Sequence, residues 1–178
     1  MNWGIIVGVR PRKTPENIMI ETLIVDGYNI IHAIPEIENE LNRDLMSARN
    51  ALAATLRKYQ LHEKSIREIY VVYDGVGEAG QDIEDLGLIK NVYTSKDSSA
   101  DSEIVNILKN MKKLSKTAVL SRDNFVINHA RAMGADILSI NSFSKKIARE
   151  DMAPRAAELS EDEKESINKE LKKIWGIK

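Results

Sequence analysis

Three strand-like segments of this chain run into an aspartate, and a fourth aspartate opens a helix-like segment. Asp26, Asp74 and Asp123 follow the three apolar runs, and Asp101 lies in Ser98-Ser99-Ala100-Asp101-Ser102. In a parallel sheet, the carboxyl ends of strands and the helices that follow them meet at one edge, so these carboxylates are expected to converge. Like charges repel and lose hydration when buried, and a divalent cation is the commonest reason to gather them.

Each aspartate also has a structural interpretation. Asp26-Gly27 and Asp74-Gly75 are ordinary turn dipeptides, and Asp123 could cap the helix that follows it. Asp101 is harder to explain in this way, because it lies three residues before Ile104 on the apolar stripe that faces the sheet. Four carboxylates at one edge favour a functional site over four separate turns.

The elements that must position these residues alternate between strand and helix. This alternation predicts a three-layer α/β sandwich with a mainly parallel five-stranded sheet. The predicted strands are 23–25, 69–73, 88–93, 118–120 and 136–140, and the predicted helices are about 44–59, 100–114, 124–133 and 143–149. A loop is expected through Pro35 and Asn39, and Gly134 is a good C-cap residue.

We expect one main domain at 19–150, preceded by an extension at 1–18 and followed by a C-terminal helix within 151–178. Pro154 marks a break, and Ser160-Glu161-Asp162-Glu163 is a capping box that opens this last amphipathic helix. The helix is expected to cover the sheet, with binding of a partner as the alternative.

Bulk composition limits the partners and the chemistry. Lys plus Arg number 26 and Asp plus Glu number 27, a net charge of −1, so any polyanion site must be a local basic patch. The absence of cysteine excludes disulfides, thiolate metal sites and thiol catalysis. No apolar run is long enough to span a membrane, and a reducing, cytoplasmic location is expected.

The order of motifs resembles the NYN domains of the YacP-like family, which are PIN-like nucleases. The resemblance covers roughly 21–148. It is carried by the opening Leu23-Ile24-Val25-Asp26-Gly27-Tyr28-Asn29-Ile30-Ile31 and by later segments in the same order: Ser47-Ala48-Arg49-Asn50-Ala51-Leu52, Val71-Val72-Tyr73-Asp74-Gly75, Val92-Tyr93-Thr94-Ser95, Ser99-Ala100-Asp101-Ser102 and Ser121-Arg122-Asp123.

This resemblance implies a PIN-like fold and an endoribonuclease that depends on Mg²⁺ or Mn²⁺. The acidic residues would be Asp26, Asp74, Asp101 and Asp123, with Asn29 as a polar companion that holds a substrate phosphate or a metal-bound water. Asp26 and Asp123 are the expected direct metal ligands, Asp101 binds directly or through water, and Asp74 supports the site. Such a cation makes water more acidic and neutralises charge that develops on the phosphorane.

The chain departs from the family pattern at one position. The family typically has Glu-Thr-Ala-Asp-Ser before the central helix, whereas this chain has Ser98-Ser99-Ala100-Asp101-Ser102. Asp97 lies one residue earlier and could partly replace the missing glutamate. Weaker metal binding or slower cleavage is the expected consequence.

A polyanionic substrate requires basic or aromatic residues around an acidic centre. The candidates for RNA binding are Tyr28, Arg49, Lys96 and Arg122, of which Arg122 lies directly at the predicted edge. Single-stranded RNA, free or on the ribosome, is the expected partner.

Three alternatives to a nuclease remain open on the sequence alone. The main one is a PIN-like protein that binds RNA or the ribosome with little or no catalysis. An aspartyl phosphatase is less well supported, because Asp26-Gly27-Tyr28 lacks the second carboxylate of an Asp-x-Asp motif. A receiver-like signalling domain fits the aspartate spacing poorly.

Overall fold

The computed structural model describes residues 19–75, 83–94 and 98–152, with side chains as far as residue 148. The predicted extension at 1–18 and the predicted C-terminal helix lie outside the described residues. The strands and helices follow one another along the described chain in the order β1 Thr22–Asp26, α1 Gly27–Ile31, α2 Pro35–Glu38, α3 Leu45–His62, β2 Glu68–Tyr73, β3 Ile83–Leu86, β4 Ile89–Tyr93, α4 Ala100–Asn110, β5 Thr117–Leu120, α5 Asn124–Met133, β6 Asp136–Ile137 and α6 Ile140–Met152. Short 3₁₀ turns occupy Asn39–Asn42 and Leu114–Lys116.

The strands form one sheet in the order β3-β4-β2-β1-β5-β6. Every neighbouring pair is parallel except β3 and β4, which form an antiparallel hairpin at the edge. From β1 the chain adds β2 and then β4 on one side, and it later returns to add β5 on the other side of β1. The order of strands therefore reverses between β1 and β5, the position at which open α/β sheets bind ligands.

Two apolar cores cover the two faces of the sheet. Leu23 and Val25 of β1 belong to the core that contains α3, and Ile24 belongs to the core that contains α4 and α5. This division follows from the two-residue period of a strand, in which successive side chains point to opposite faces. β1 and β5 are buried along both faces, which explains why their sequences are continuous apolar runs.

The predicted α/β sandwich is confirmed, and the structure adds to the predicted elements. The sheet has six strands where five were predicted, because the hairpin strand β3 is mostly exposed and carries no apolar run. β6 ends at Ile137, so the prediction of a strand to residue 140 was wrong, and Ile140 instead begins α6. The predicted loop after Ile31 contains α2 and a 3₁₀ turn, and the predicted helix at 100–114 ends at Asn110.

Helix ends follow ordinary capping chemistry. The Asp44 carboxylate accepts a hydrogen bond from Ser47 N at 2.6 Å and so begins α3. Gly134 ends α5 in the left-handed conformation with φ of 92°, as its position in the sequence predicts. No helix of the described residues is both long enough and apolar enough to cross a membrane.

Gly27 is the residue at which β1 passes directly into α1, and only glycine fits there because there is no room for a side chain. A Cβ on Gly27 would collide with the ring of Tyr73 and would lie 2.9 Å from the carbonyl oxygen of Val72. The close approach brings the start of α1 against the end of β2. It therefore fixes the direction in which the chain leaves Asp26.

We predict that Gly27→Ala destabilises the fold by about 1–3 kcal/mol, since the new methyl group must displace a buried ring or the strand itself. The measurement is the free energy of unfolding in urea. Gly134→Ala is the comparison, because its Cβ would meet no atom within 4 Å and only its backbone conformation is unfavourable.

A double-mutant cycle with Tyr73→Leu tests the cause. Removing the ring should reduce the cost of Gly27→Ala, while the cost of Gly134→Ala should stay the same. A cost of Gly27→Ala that is unchanged in the Tyr73→Leu background would contradict the proposed collision.

Candidate active site

Asp26 is a buried carboxylate at the carboxyl end of β1. It follows Val25 in the strand, so its side chain lies on the same face as Ile24, towards α4 and α5. Only 6% of the residue is exposed to solvent. Its Oδ1 atom accepts a hydrogen bond from Asn29 N at 3.4 Å, which caps α1.

Ser121 and Asn29 connect Asp26 to the neighbouring strand β5. The buried Ser121 hydroxyl donates to Asp26 Oδ2 at 2.9 Å and accepts from Asp123 N at 3.0 Å. Asn29 Oδ1 accepts a hydrogen bond from Arg122 N at 3.0 Å. The ends of β1 and β5 are thus joined by side-chain hydrogen bonds at the position where the strand order reverses.

Asp123 and Asp74 each accept a backbone N–H at the start of one of the two helices on this face of the sheet. Asp123 Oδ1 accepts from Phe125 N at 2.6 Å and from Val126 N at 3.4 Å, at the start of α5. Asp74 Oδ1 accepts from Ala100 N at 2.6 Å, which ties the end of β2 to the first residue of α4. Asp101 is the next residue of α4 and is partly buried.

The carboxylates of this edge influence one another's protonation. The pKa of Asp26 is raised to about 6, mainly by burial; the hydrogen bonds from Ser121 and Asn29 lower it, and the charges of Asp101 and Asp74 contribute to the rise. Partial burial, followed by the charges of Asp123 and Asp74, raises the pKa of Asp101. Interactions of this kind require proximity, so the carboxylates at this edge would repel each other when ionised.

The donor set fits a hard divalent cation that keeps much of its water. Carboxylate oxygens are the ligands that Mg²⁺ and Mn²⁺ prefer, and a cation would relieve the repulsion between Asp26 and Asp101. In the described part of the chain, no three acidic or histidine side chains are close enough together to hold an ion. As the side chains stand, a cation here would contact one or two carboxylates, which is the usual number for Mg²⁺.

Two residues predicted to bind RNA, Arg49 and Tyr28, are buried and partly buried, respectively, near this edge. Arg49 is only 8% exposed, and its guanidinium lies 5.0–5.6 Å from the ring centres of Tyr28, Tyr73 and Tyr93. It also donates a hydrogen bond to the Tyr28 hydroxyl. Tyr28 is partly buried against Tyr73, so its ring is less open for stacking than the sequence suggested. This cluster holds α1 against α3 and the sheet.

The remaining predicted basic residues differ in position. Arg122 is exposed beside Asp123, as its place in the sequence indicates. Lys96 and Asp97 lie outside the described residues, so the predicted contact of Lys96 and the predicted substitution by Asp97 stay predictions. Ser98 and Ser99 precede α4, where Ser99 Oγ accepts a hydrogen bond from Ser102 N at 3.3 Å.

Ser121 is the site residue that the sequence analysis did not single out. Its hydroxyl contacts both Asp26 and the backbone of Asp123, and the residue is only 4% exposed. The feature of the sequence that could have identified Ser121 is its position two residues before Asp123, directly after an apolar strand. A serine there is common in turns, so the sequence alone does not distinguish it.

An open groove of about 520 Å³ lies at the opposite, amino end of the sheet. It is lined by Glu21, Tyr70 and Thr117, among others. Several of its charged groups are paired, since Glu21 forms ion pairs with Lys113 and Lys116. The carboxylates with raised pKa values lie at the other end, and we therefore place the candidate active site there.

Fold and site together define a class of protein. A mainly parallel sheet with helices on both faces and a cluster of aspartates where the strand order reverses is the arrangement of a PIN-like nuclease domain. The model of the YacP-like NYN domain matches residues 23–175, so the chain belongs to this family of PIN-like nucleases. The match also extends over the predicted C-terminal helix.

Solved structures agree with this assignment at the level of the fold. Rae1 (YacP) from Bacillus subtilis has 20% sequence identity and a TM-score of 0.59, covering 88% of this chain and 93% of that chain. A tryptophan-to-leucine mutant of the same protein has 19% identity and a TM-score of 0.61, covering 75% of this chain and 78% of the other. No curated protein matches the chain significantly.

The raised pKa of Asp26 predicts a specific dependence of stability on pH in the absence of metal. The folded state binds the proton more tightly than the unfolded state, so stability falls as the pH rises from about 4 through about 6. Asp26→Asn removes this effect. Relative to wild type, the variant should gain on the order of 2 kcal/mol between pH 4 and pH 7.5, measured by urea unfolding in EDTA.

Asp44→Asn is the matched control, because Asp44 should affect the pH dependence of stability in the opposite direction. Hydrogen bonds from Ser47 lower the pKa of Asp44, so its ionised form stabilises the fold above about pH 4 and this contribution is lost in acid. A stability difference between Asp26→Asn and wild type that does not change with pH would show that burial of this charge carries no cost.

Proposed function

We propose that this protein is a metal-dependent endoribonuclease that hydrolyses phosphodiester bonds of single-stranded RNA at the edge where β1 and β5 end. The observation that carries this proposal is the buried Asp26, which interacts electrostatically with Asp101 and Asp74 and has a raised pKa. Membership of a PIN-like nuclease family supports the general class of reaction. Cytoplasmic RNA, free or on the ribosome, is the proposed substrate.

Asp26, Asp101 and Asp123 would hold Mg²⁺ or Mn²⁺, directly or through water. When bound, the cation would lower the pKa of coordinated water and offset negative charge on the phosphate. Protons compete with metals for carboxylates, so the raised pKa of Asp26 implies weaker metal binding below about pH 6.

The protein's own residues would orient the reacting groups. Ser121 fixes one oxygen of Asp26, and the cap on α1 fixes the other. Asn29 uses its Oδ1 atom to hold the loop of Arg122, so its amide nitrogen is the group suited to donate to a phosphate oxygen. Asp74 holds the start of α4 and thereby the position of Asp101. Arg122 offers a positive charge to the RNA backbone.

A second function is favoured by two particular observations. The chain has Ser98 where the family typically has glutamate, and the described residues contain no preformed group of three metal-binding side chains. Both fit a protein that binds RNA or the ribosome through the same surface and cleaves slowly or not at all.

We predict that Asp101→Asn reduces cleavage at least about 100-fold, because one of the carboxylates that holds the cation is lost. The measurement is the single-turnover rate on fluorescent single-stranded RNAs with Mn²⁺ or Mg²⁺. EDTA should abolish cleavage by the wild type. A 2′-deoxy substitution at the cleaved linkage should be tolerated, because water rather than the 2′-hydroxyl is the nucleophile.

Glu103→Gln is the control for this prediction. Glu103 lies in the same turn of α4 and lines the groove at the amino end of the sheet, so the variant changes the same charge away from the site. Equal activity of Asp101→Asn and wild type would refute the proposed site. RNA binding by the wild type without cleavage under any metal would favour the non-catalytic alternative.

A further inference from the structure

Phe125 presents an exposed aromatic ring next to the candidate active site. It is the second residue of α5, and its backbone N donates to Asp123 Oδ1 at 2.6 Å. The residue is 49% exposed, although phenylalanine is usually buried. The ring belongs to neither apolar core of the sheet, so its side chain is available to contact a ligand.

The ring is held in place by its surroundings. His129 lies one turn further along α5, with its ring centre 4.1 Å from that of Phe125. His129 Nδ1 donates a hydrogen bond to the Phe125 carbonyl oxygen at 2.8 Å. Val126 and Ala130, which are buried against the sheet, fix the helix beneath them. Little conformational freedom would therefore be lost when a ligand stacks on Phe125.

The chemistry around Phe125 fits a nucleobase better than a protein surface. Arg122 is exposed three residues earlier, and within the described residues its guanidinium has no carboxylate partner. No other large apolar side chain of α5 is exposed, so the apolar area is too small for a protein interface. The other exposed large apolar residues of the described chain are aliphatic: Met19, Leu45, Leu61, Ile83 and Leu86.

We propose that Phe125, supported by His129, is a stacking platform for one unpaired base of the RNA, with Arg122 contacting the adjacent phosphate. This inference rests on the proposed function, because it assumes that the RNA backbone lies at the neighbouring aspartates. It also assigns particular residues to the recognition of single-stranded RNA in that function. A platform of this kind selects single-stranded over double-stranded RNA, since paired bases do not offer their faces.

The test measures the dissociation constant of labelled single-stranded RNA by fluorescence anisotropy, with Asp101→Asn as the background so that the RNA stays intact. Phe125→Ala should weaken binding by about 5- to 100-fold, as expected for the loss of one stacked base. Phe125→Tyr and Phe125→Trp should retain affinity, because both keep an aromatic face. Leu61→Ala, at another exposed apolar position on α3, should have no effect.

An RNA that carries one abasic nucleotide identifies the stacked base. As the abasic position is moved along the RNA, Phe125→Ala and its parent should bind equally well at one position and differ at the others. Equal affinity of the two proteins for unmodified RNA would overturn the platform while leaving the proposed nuclease intact. A loss of affinity that is the same for every abasic RNA would also overturn it. Absence of RNA binding by the wild type would contradict both proposals.

Discussion

The burial of the Asp26 carboxylate constrains the positions of the other residues at the carboxyl end of the sheet. A charge that is removed from water needs hydrogen bonds or a counter-ion, and Asp26 receives its hydrogen bonds from two different parts of the chain. Asn29 belongs to the helix that follows β1. Ser121, which follows β5, lies 95 residues beyond Asp26 in the chain. The contact with Ser121 also links the ends of the two strands between which the sheet order reverses.

Helix capping leaves carboxylate oxygens at this end of the sheet free for the proposed cation. Asp26, Asp74 and Asp123 each accept a backbone N–H at the start of a helix through Oδ1. Capping therefore fixes the rotamer of each carboxylate and brings the positive end of a helix dipole close to it. For Asp74 and Asp123 the second oxygen remains for another ligand. The turn chemistry and the functional chemistry of these aspartates are thus compatible, although the sequence presents them as alternatives.

Much of the fold could be predicted from the sequence because its central elements are strongly patterned. Continuous apolar runs at β1, β2 and β5 are typical of buried strands, and Gly134 is typical of a helix C-terminus, here that of α5. The edge hairpin strand β3 was missed because it is held by pairing with β4 rather than by burial. β6 was predicted too long because Ile140 packs as part of a helix, and an apolar residue alone does not distinguish a strand from a helix.

The charged residues of the candidate site could be proposed from the sequence, but its neutral residues were harder to identify. The contact of Ser121 with Asp26 depends on the pairing of β5 with β1, which the sequence does not show directly. Arg49 shows the same limit, because the three tyrosines around it come from three separate segments.

The central claim is that this edge binds a divalent cation through its aspartates. The most direct test is anomalous diffraction from crystals grown with Mn²⁺. We predict a manganese peak at about 2.1 Å from carboxylate oxygens of Asp26 and of Asp101 or Asp123, with water completing its coordination. A peak only at other acidic groups, such as those of the amino-end groove, or no peak at a concentration that saturates binding in solution, would contradict the account.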